Sequence, residues 1–213
     1  MQRFNEKLVV ISGGASGMGA LTAKRVVEEG GTAITLDINE TLGQEVANEI
    51  GNKCEFFHAD VTKPDSWNDL EKYLGDRFNN ITSVINAAGI SEPATIEDET
   101  FDHWNRTHSI NGTSVFLGCQ FGVKAMKDSG SKRKTWCFIG DMTFETGIFY
   151  ESYKYAKNFD LPLQFVVEDN NMSTNTPTDE TWGGIKRNVP DDVIYYKYER
   201  EFPHHGTGNW VLF

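Results

Sequence analysis

Residues 7–37 hold the arrangement that most limits what this chain can become. An apolar run from Lys7 to Ser12 is followed by Gly13-Gly14-Ala15-Ser16-Gly17-Met18-Gly19, then by a helical pattern over Ala20 to Glu29 closed by Gly30-Gly31, then by a second apolar run, Ala33 to Leu36, ending on Asp37. Short unbroken apolar runs between turn signals are the mark of strands buried on both faces, and parallel strands need a crossover element between them. The alternation then continues. Glu40 to Ile50 reads as helix, Cys54 to Phe57 as strand, Pro64 to Phe78 as helix with Pro64 in its first turn, and Ile81 to Asn86 as strand. Phe101 to Met126 is largely helical, Lys134 to Ile139 a strand, Phe149 to Phe159 a helix and Leu163 to Val167 a strand. The order predicts an α/β chain with a Rossmann-like, doubly wound parallel sheet and right-handed crossovers. After Glu168 the pattern thins into a polar, turn-rich stretch with one more strand candidate at Val193 to Tyr198, so an irregular C-terminal extension is expected.

Composition narrows the function classes. With 31 acidic and 20 basic residues the formal charge is -11, the wrong sign for gripping nucleic acid or an anionic membrane surface. No apolar run exceeds strand length and Met1 to Lys7 is too polar for a signal peptide, so a cytoplasmic location without membrane contact is expected. Cys54, Cys119 and Cys137 are odd in number and lack CxxC spacing; they read as small core residues rather than a disulfide framework or zinc site. Fourteen of the 26 aromatic residues fall after residue 140, and the linker-like stretch Asp128 to Lys134 lies just before that shift. The shift suggests two parts of different origin, placed at residues 1–134 and 135–213 by the resemblances given below, which also imply that the second continues the sheet of the first.

A dinucleotide presents two phosphates. Glycines let the backbone approach them, and the N-terminus of the following helix supplies N–H groups and a favourable dipole. Gly13, Gly17 and Gly19 have that placement, and Asp37 ends the next strand, where a carboxylate would accept hydrogen bonds from the adenosine ribose and repel the extra phosphate of NADP. These residues resemble the short-chain dehydrogenase/reductase family. Ser12 to Gly19 is similar to its TGxxxGxG turn with Ser for Thr, Asp60-Val61 to its adenine-contacting pair, Asn86-Ala87-Ala88-Gly89 to its NAAG motif, and Asn111-Gly112-Thr113 to the helix carrying its active-site Asn. The resemblance covers about residues 5–130. It implies NAD bound by Ser12, Gly13, Gly17, Met18, Gly19, Asp37, Asp60, Val61, Asn86, Ala87 and Gly89, with a small alcohol or carbonyl compound as substrate.

Catalysis in that family also needs a Tyr as acid/base, a Lys that lowers its pKa and a Ser that holds the substrate oxygen. A YxxxK spacing puts both side chains on one helix face. Tyr153/Lys157 and Tyr150/Lys154 both satisfy it, and Tyr153, 42 residues after Asn111, lies close to the family's interval. Asn111, Tyr153 and Lys157 are thus the catalytic candidates. The expected Ser is absent from Phe138 to Glu145, where only Thr143 could substitute.

A second resemblance begins near Thr135. Gly140-Asp141-Met142, with Asn170-Asn171 downstream, is similar to the GDG…NN motif of thiamine-diphosphate enzymes of the 2-oxo acid dehydrogenase and transketolase type, covering about residues 135–213. It implies thiamine diphosphate with Mg²⁺, the metal held by Asp141, Asn171 and the backbone carbonyl of Ser173. In that setting the YxxxK pair is incidental, and the chain is a subunit or remnant that needs a complementing partner chain. A third reading is a fusion that retains cofactor binding alone. Both families associate through helices, which leaves a homo-oligomer open. His204-His205 reads as a surface turn, and His58, His103 and His108 as structural.

Overall fold

The computed structural model describes residues 2–92, 94–128, 135–173, 176–182 and 187–199. The chain forms two compact units, Met1–Ser131 and Lys132–Phe213. The linker-like residues up to Lys134, the His204-His205 pair and the last residues from Phe202 lie outside the described residues.

In the first unit, β1 (Leu8–Ser12), α1 (Gly17–Glu28), β2 (Thr32–Asp37), α2 (Glu40–Ile50), β3 (Cys54–His58) and α3 (Pro64–Leu74) follow one another, and a 3-10 turn (Gly75–Asn80) leads into β4 (Ile81–Asn86). Helix α4 (Phe101–His108) then runs through a π turn (Ser109–Thr113) into α5 (Ser114–Asp128). The sheet order is β3-β2-β1-β4 with every pair parallel. The chain therefore winds outward from β1 to β3 and returns to the other side of β1 with β4. That reversal opens a crevice at the carboxyl ends of β1 and β4, where open α/β sheets take their ligands.

All of β1 is buried, as a central strand covered on both faces must be. The pleat sends Leu8 and Val10 to one side, where they meet Ile34, Leu36, Trp67, Leu70 and Phe121. Val9 and Ile11 point the other way, onto Ala23 and Val26 of α1, Ala33 of β2 and Ala47 of α2. One sheet thus separates two apolar layers.

The second unit holds β5 (Thr135–Gly140), α6 (Asp141–Phe144), α7 (Gly147–Asn158), β6 (Leu163–Asp169), the two-residue strands β7 (Met172–Ser173) and β8 (Thr176–Pro177), α8 (Thr178–Trp182) and β9 (Ile194–Lys197). Its sheet is β5-β6-β9, again parallel. The core gathers Phe144, Phe149, Ala156, Phe165, Val167 and Val193, with Phe149 edge-on to Phe165 at 5.2 Å.

The α/β class with parallel strands and flanking helices is the one the alternation predicts. Its departures are local. Helix α1 starts at Gly17 rather than Ala20, because the end of the glycine turn is already helical. Strand β6 runs on to Asp169, held there by its ladder with β9. Helices α6 and α8 and strands β7 and β8 are too short to show a period. The expected core role of the cysteines holds for Cys54, which is buried, whereas Cys119 is exposed and Cys137 half-buried. On α5 the buried stripe is Leu117, Phe121 and Ala125, and a residue two positions from Leu117 points away from it.

Candidate functional site

The crevice of the first unit is shaped by the glycine turn. Gly13 has φ +69°, and a Cβ there would lie 2.8 Å from Ala88 Cα; a Cβ at Gly19 would lie 2.1 Å from the Gly13 carbonyl oxygen. Neither position can take a side chain without moving the backbone. The helix is thereby brought so close that α1 opens onto the crevice. Ser16 at its N-cap makes no side-chain cap bond, and no acidic residue stands in its first turn. The positive end of the helix is left for an anion. Asp37 sits beside it: Oδ2 accepts the Ala15 N–H at 3.1 Å and Oδ1 accepts the Asn39 N–H at 3.0 Å. A carboxylate has about four lone-pair sites, so this one clamps the turn and keeps capacity for a ligand hydroxyl. Met18 and Ile38 flank it with exposed apolar side chains. These residues fit a dinucleotide.

Other residues expected at the site also bond within the protein. Ser12 is buried, and its Oγ accepts from the N–H groups of Ala87 and Ala88 at 3.1 and 3.2 Å, tying the ends of β1 and β4 together. Val61 lies in the core, and its carbonyl accepts from the Trp67 indole at 3.0 Å. Asp60 Oδ1 accepts from both the N–H and the hydroxyl of Thr62, at 3.0 and 2.6 Å, and so shapes the turn after β3. Asn86 presses against α5, where a Cβ on Gly118 would meet its Oδ1 at 2.0 Å. Gly118 is the residue there that sequence reasoning missed, since a glycine inside a helical pattern carries no signal of what it touches. Asn111 lies in the π turn. Its Oδ1 accepts the Ile90 N–H at 2.9 Å and its Nδ2 donates to the Ile90 carbonyl at 2.8 Å, so its side chain pins the segment after Gly89. One-turn π insertions recur at functional sites.

In the second unit, α7 brings Tyr153 and Lys157 together. The Tyr153 hydroxyl donates to Asp192 Oδ1 at 2.7 Å, and Lys157 Nζ donates to Asp192 Oδ2 at 2.9 Å. The hydrogen bond to Asp192, with some help from burial, pushes the phenol up from its usual value. The same carboxylate pushes the Lys157 ammonium up and is itself pushed down by Lys157 and then Tyr153. The pair is thus assembled, but with a third member that sequence reasoning did not find. Asp192 lies in a stretch without period, and no motif points to it. Tyr150 of the alternative pair rests against Phe149. Thr143 is exposed on α6.

The residues expected to hold a metal are engaged otherwise. Asp141 and Asn171 do converge on Thr178, whose hydroxyl lies 2.7 Å from Asn171 Oδ1 and 3.2 Å from Asp141 Oδ2. Arg187, however, sits between two carboxylates, 2.8 Å from Asp141 Oδ2 and 2.8 Å from Asp169 Oδ2, the three side chains being 7%, 1% and 1% exposed. Burial and the nearby Asp169 push the Asp141 carboxyl up, against Arg187. Asp169 is also raised by burial, but the Tyr195 phenol, the Asn171 N–H and Arg187 together hold it below its usual value. Among the described residues, Asp141 Oδ1 is buried without a hydrogen-bond partner. Ser173 is drawn into the β7–β8 ladder opposite Thr176. Among the described residues, no group of three or more acidic, histidine or cysteine side chains is placed to hold a metal ion. With the Arg187 guanidinium on Asp141 and the Thr178 hydroxyl on both Asp141 and Asn171, the expected ligands already have protein partners, so the Mg²⁺ and thiamine diphosphate expected of Asp141, Asn171 and Ser173 do not fit.

A parallel sheet of order 3-2-1-4 with a glycine turn at the carboxyl end of β1 and an acid closing β2 defines a dinucleotide-binding α/β protein. The family model for short chain dehydrogenases matches residues 7–158. Among similar curated proteins, the 2,5-dichloro-2,5-cyclohexadiene-1,4-diol dehydrogenase LinX of Sphingobium indicum is 36% identical over 204 residues, 90% of this chain and 80% of that one. A 3-beta-hydroxysteroid dehydrogenase of Comamonas testosteroni is 35% identical over 128 residues, 60% of this chain and 50% of that one. A cyclopentanol dehydrogenase of Comamonas sp. is 34% identical over 130 residues, 60% of this chain and 52% of that one. The chain belongs to the short-chain dehydrogenase family, a family of NAD(P)-dependent oxidoreductases. The match runs on through Asp141, Tyr153 and Lys157, and the thiamine resemblance of residues 135–213 finds no support beside it. Among the described residues, no helix is long and apolar enough to cross a membrane.

Proposed function

We propose that this protein is an NAD-dependent oxidoreductase that moves a hydride between nicotinamide and a small alicyclic alcohol or its ketone. One observation carries the choice of NAD. Asp37 stands at the mouth of the glycine turn with lone pairs to spare for ribose hydroxyls, and its charge opposes a 2′-phosphate. The substrate class follows the relatives, whose names share a hydroxyl on a saturated or partly saturated ring. NAD, when bound, accepts or donates the hydride. The chain's own part is to manage the proton: Tyr153 takes it from the alcohol oxygen during oxidation or returns it to the ketone oxygen during reduction. Lys157 is the cation that favours the ionised phenol. Asn111 holds the segment after the NAAG motif. Within Phe138 to Glu145, Thr143 is the hydroxyl that would stand in place of the family's Ser.

A cytoplasmic location and assembly as a homo-oligomer belong to the same proposal. Thiamine diphosphate does not.

Calorimetric titration of the protein with NADH and NADPH tests the cofactor. NADH is expected to bind and NADPH to bind at least tenfold more weakly, with Asp37→Ala narrowing the gap. Equal affinities, or no binding of either, would overturn the assignment. NADH formation with cyclopentanol, lost in Tyr153→Phe, tests the reaction.

A further inference from the structure

Asp192 is placed with more care than a surface carboxylate needs. It lies in a turn closed by the Val193 N–H bonding to the Pro190 carbonyl at 3.0 Å, and its own carbonyl accepts from Gln164 Nε2 on β6 at 2.7 Å. The phenol it meets is fixed too, stacked on Phe149 with ring centroids 5.7 Å apart and 6.2 Å from Phe165. The three polar groups border a cavity of about 390 Å³ that Asp160, Gln164 and Phe165 help to line. A half-exposed Lys–Asp pair alone contributes little. Here each carboxylate oxygen takes a different member of the pair, one the phenol and the other the ammonium.

We propose that Asp192 is a positioning residue: it holds the Tyr153 phenol as a hydrogen-bond donor and occupies the Lys157 ammonium, so that the pair favours giving a proton over taking one. The inference rests on the acid/base reading of Tyr153 and Lys157. Oxidation of an alcohol requires Tyr153 as phenolate, whereas reduction of a ketone requires it as phenol. A carboxylate that accepts the phenol's hydrogen bond repels the phenolate, and so supports reduction and delays oxidation to higher pH. The charged groups acting on the phenol are Asp192, Lys157 and Asp191, and Asp160 acts on the ammonium. Of these only Lys157 favours the phenolate, and Asp192 holds it.

The test uses the full chain. Ionisation of Tyr153 is read as the difference in tyrosinate ultraviolet absorbance between the protein and its Tyr153→Phe variant. The same difference is then taken on the Asp192→Asn and Asp192→Ser backgrounds. Both Asp192 substitutions are expected to lower the pH at which Tyr153 ionises by about one unit, a tenfold change. The rising, acid-side limb of kcat/KM for cyclopentanol oxidation with NAD⁺ is expected to move down in pH with it. An unchanged or higher ionisation pH in Asp192→Asn, with circular dichroism of the native fold, would overturn the inference even if turnover is found. Absence of turnover with the ionisation shift present would instead overturn the oxidoreductase reading and leave the coupling standing.

Discussion

Asp37 carries two roles on one carboxylate. In the proposed function it is the acid that would discriminate against NADP, and it is also the acceptor that fastens Ala15 to the end of β2. Replacing it with Ala should therefore weaken the fold before any cofactor is added, by about 1–3 kcal/mol for the stranded N–H of the buried Ala15. Urea unfolding of the cofactor-free protein measures this, and Asp37→Asn, which keeps an acceptor, should lose less. Glu29 offers a second single-residue expectation. The hydrogen bond from Arg3, helped by Arg25, holds it down at about 2 from an ordinary 4.5. Its contribution to stability is therefore fully present above pH 4.5 and lost as the pH falls toward 2. Melting temperatures recorded across that window should show a shallower acid fall in Glu29→Gln than in the unaltered protein. At this scale the sequence is legible where a residue's role depends on its neighbours in the chain, as with Gly13 or Asp37 at a strand end. It is mute where the partner is remote: the Ser12 hydroxyl reads as a motif letter, but its two donors lie 75 and 76 residues away.

Among the elements, the parallel strands and their crossover helices were readable because each is long enough to express a period. The π turn was not, since one extra residue in a helical stretch leaves the hydrophobic pattern almost intact. The network around Arg187 was hidden for a different reason: Asp141 sits after one strand and its partner arginine 46 residues on, in a segment without pattern. That network is the second unit's own counter-charge. Arg187→Met should leave the buried Asp141 carboxylate without its cation and Asp169 with Lys197 as its cation, at 3.4 Å, a loss of about 3–5 kcal/mol, visible as a lower melting temperature. If the guanidinium holds the place a metal would need, neither Mg²⁺ nor EDTA will move the melting temperature of the unaltered protein. A magnesium-dependent rise that disappears in Asp141→Ala would reverse that conclusion.

For the whole molecule, the proposed binding of NAD and the poor fit of thiamine diphosphate set up a direct comparison. At a hundred times its dissociation constant NAD should stabilise the native state by about 2.7 kcal/mol, while thiamine diphosphate with Mg²⁺ should give no shift in the same thermal melt. Equal shifts with both would return the second half to the reading its Gly-Asp-Met and Asn-Asn residues first suggested. The strand order of the first unit also has a consequence in time. Strand β1 is paired on both sides, and one of those neighbours, β4, is the last strand of that sheet to be synthesised. The glycine turn closes against Ala88, so on a ribosome adding roughly 5–20 residues per second the cradle stays open for several seconds after its glycines are made. The nascent chain carries an apolar central strand with its β4-facing edge unpaired throughout that interval, which is when a chaperone that covers such edges would find it.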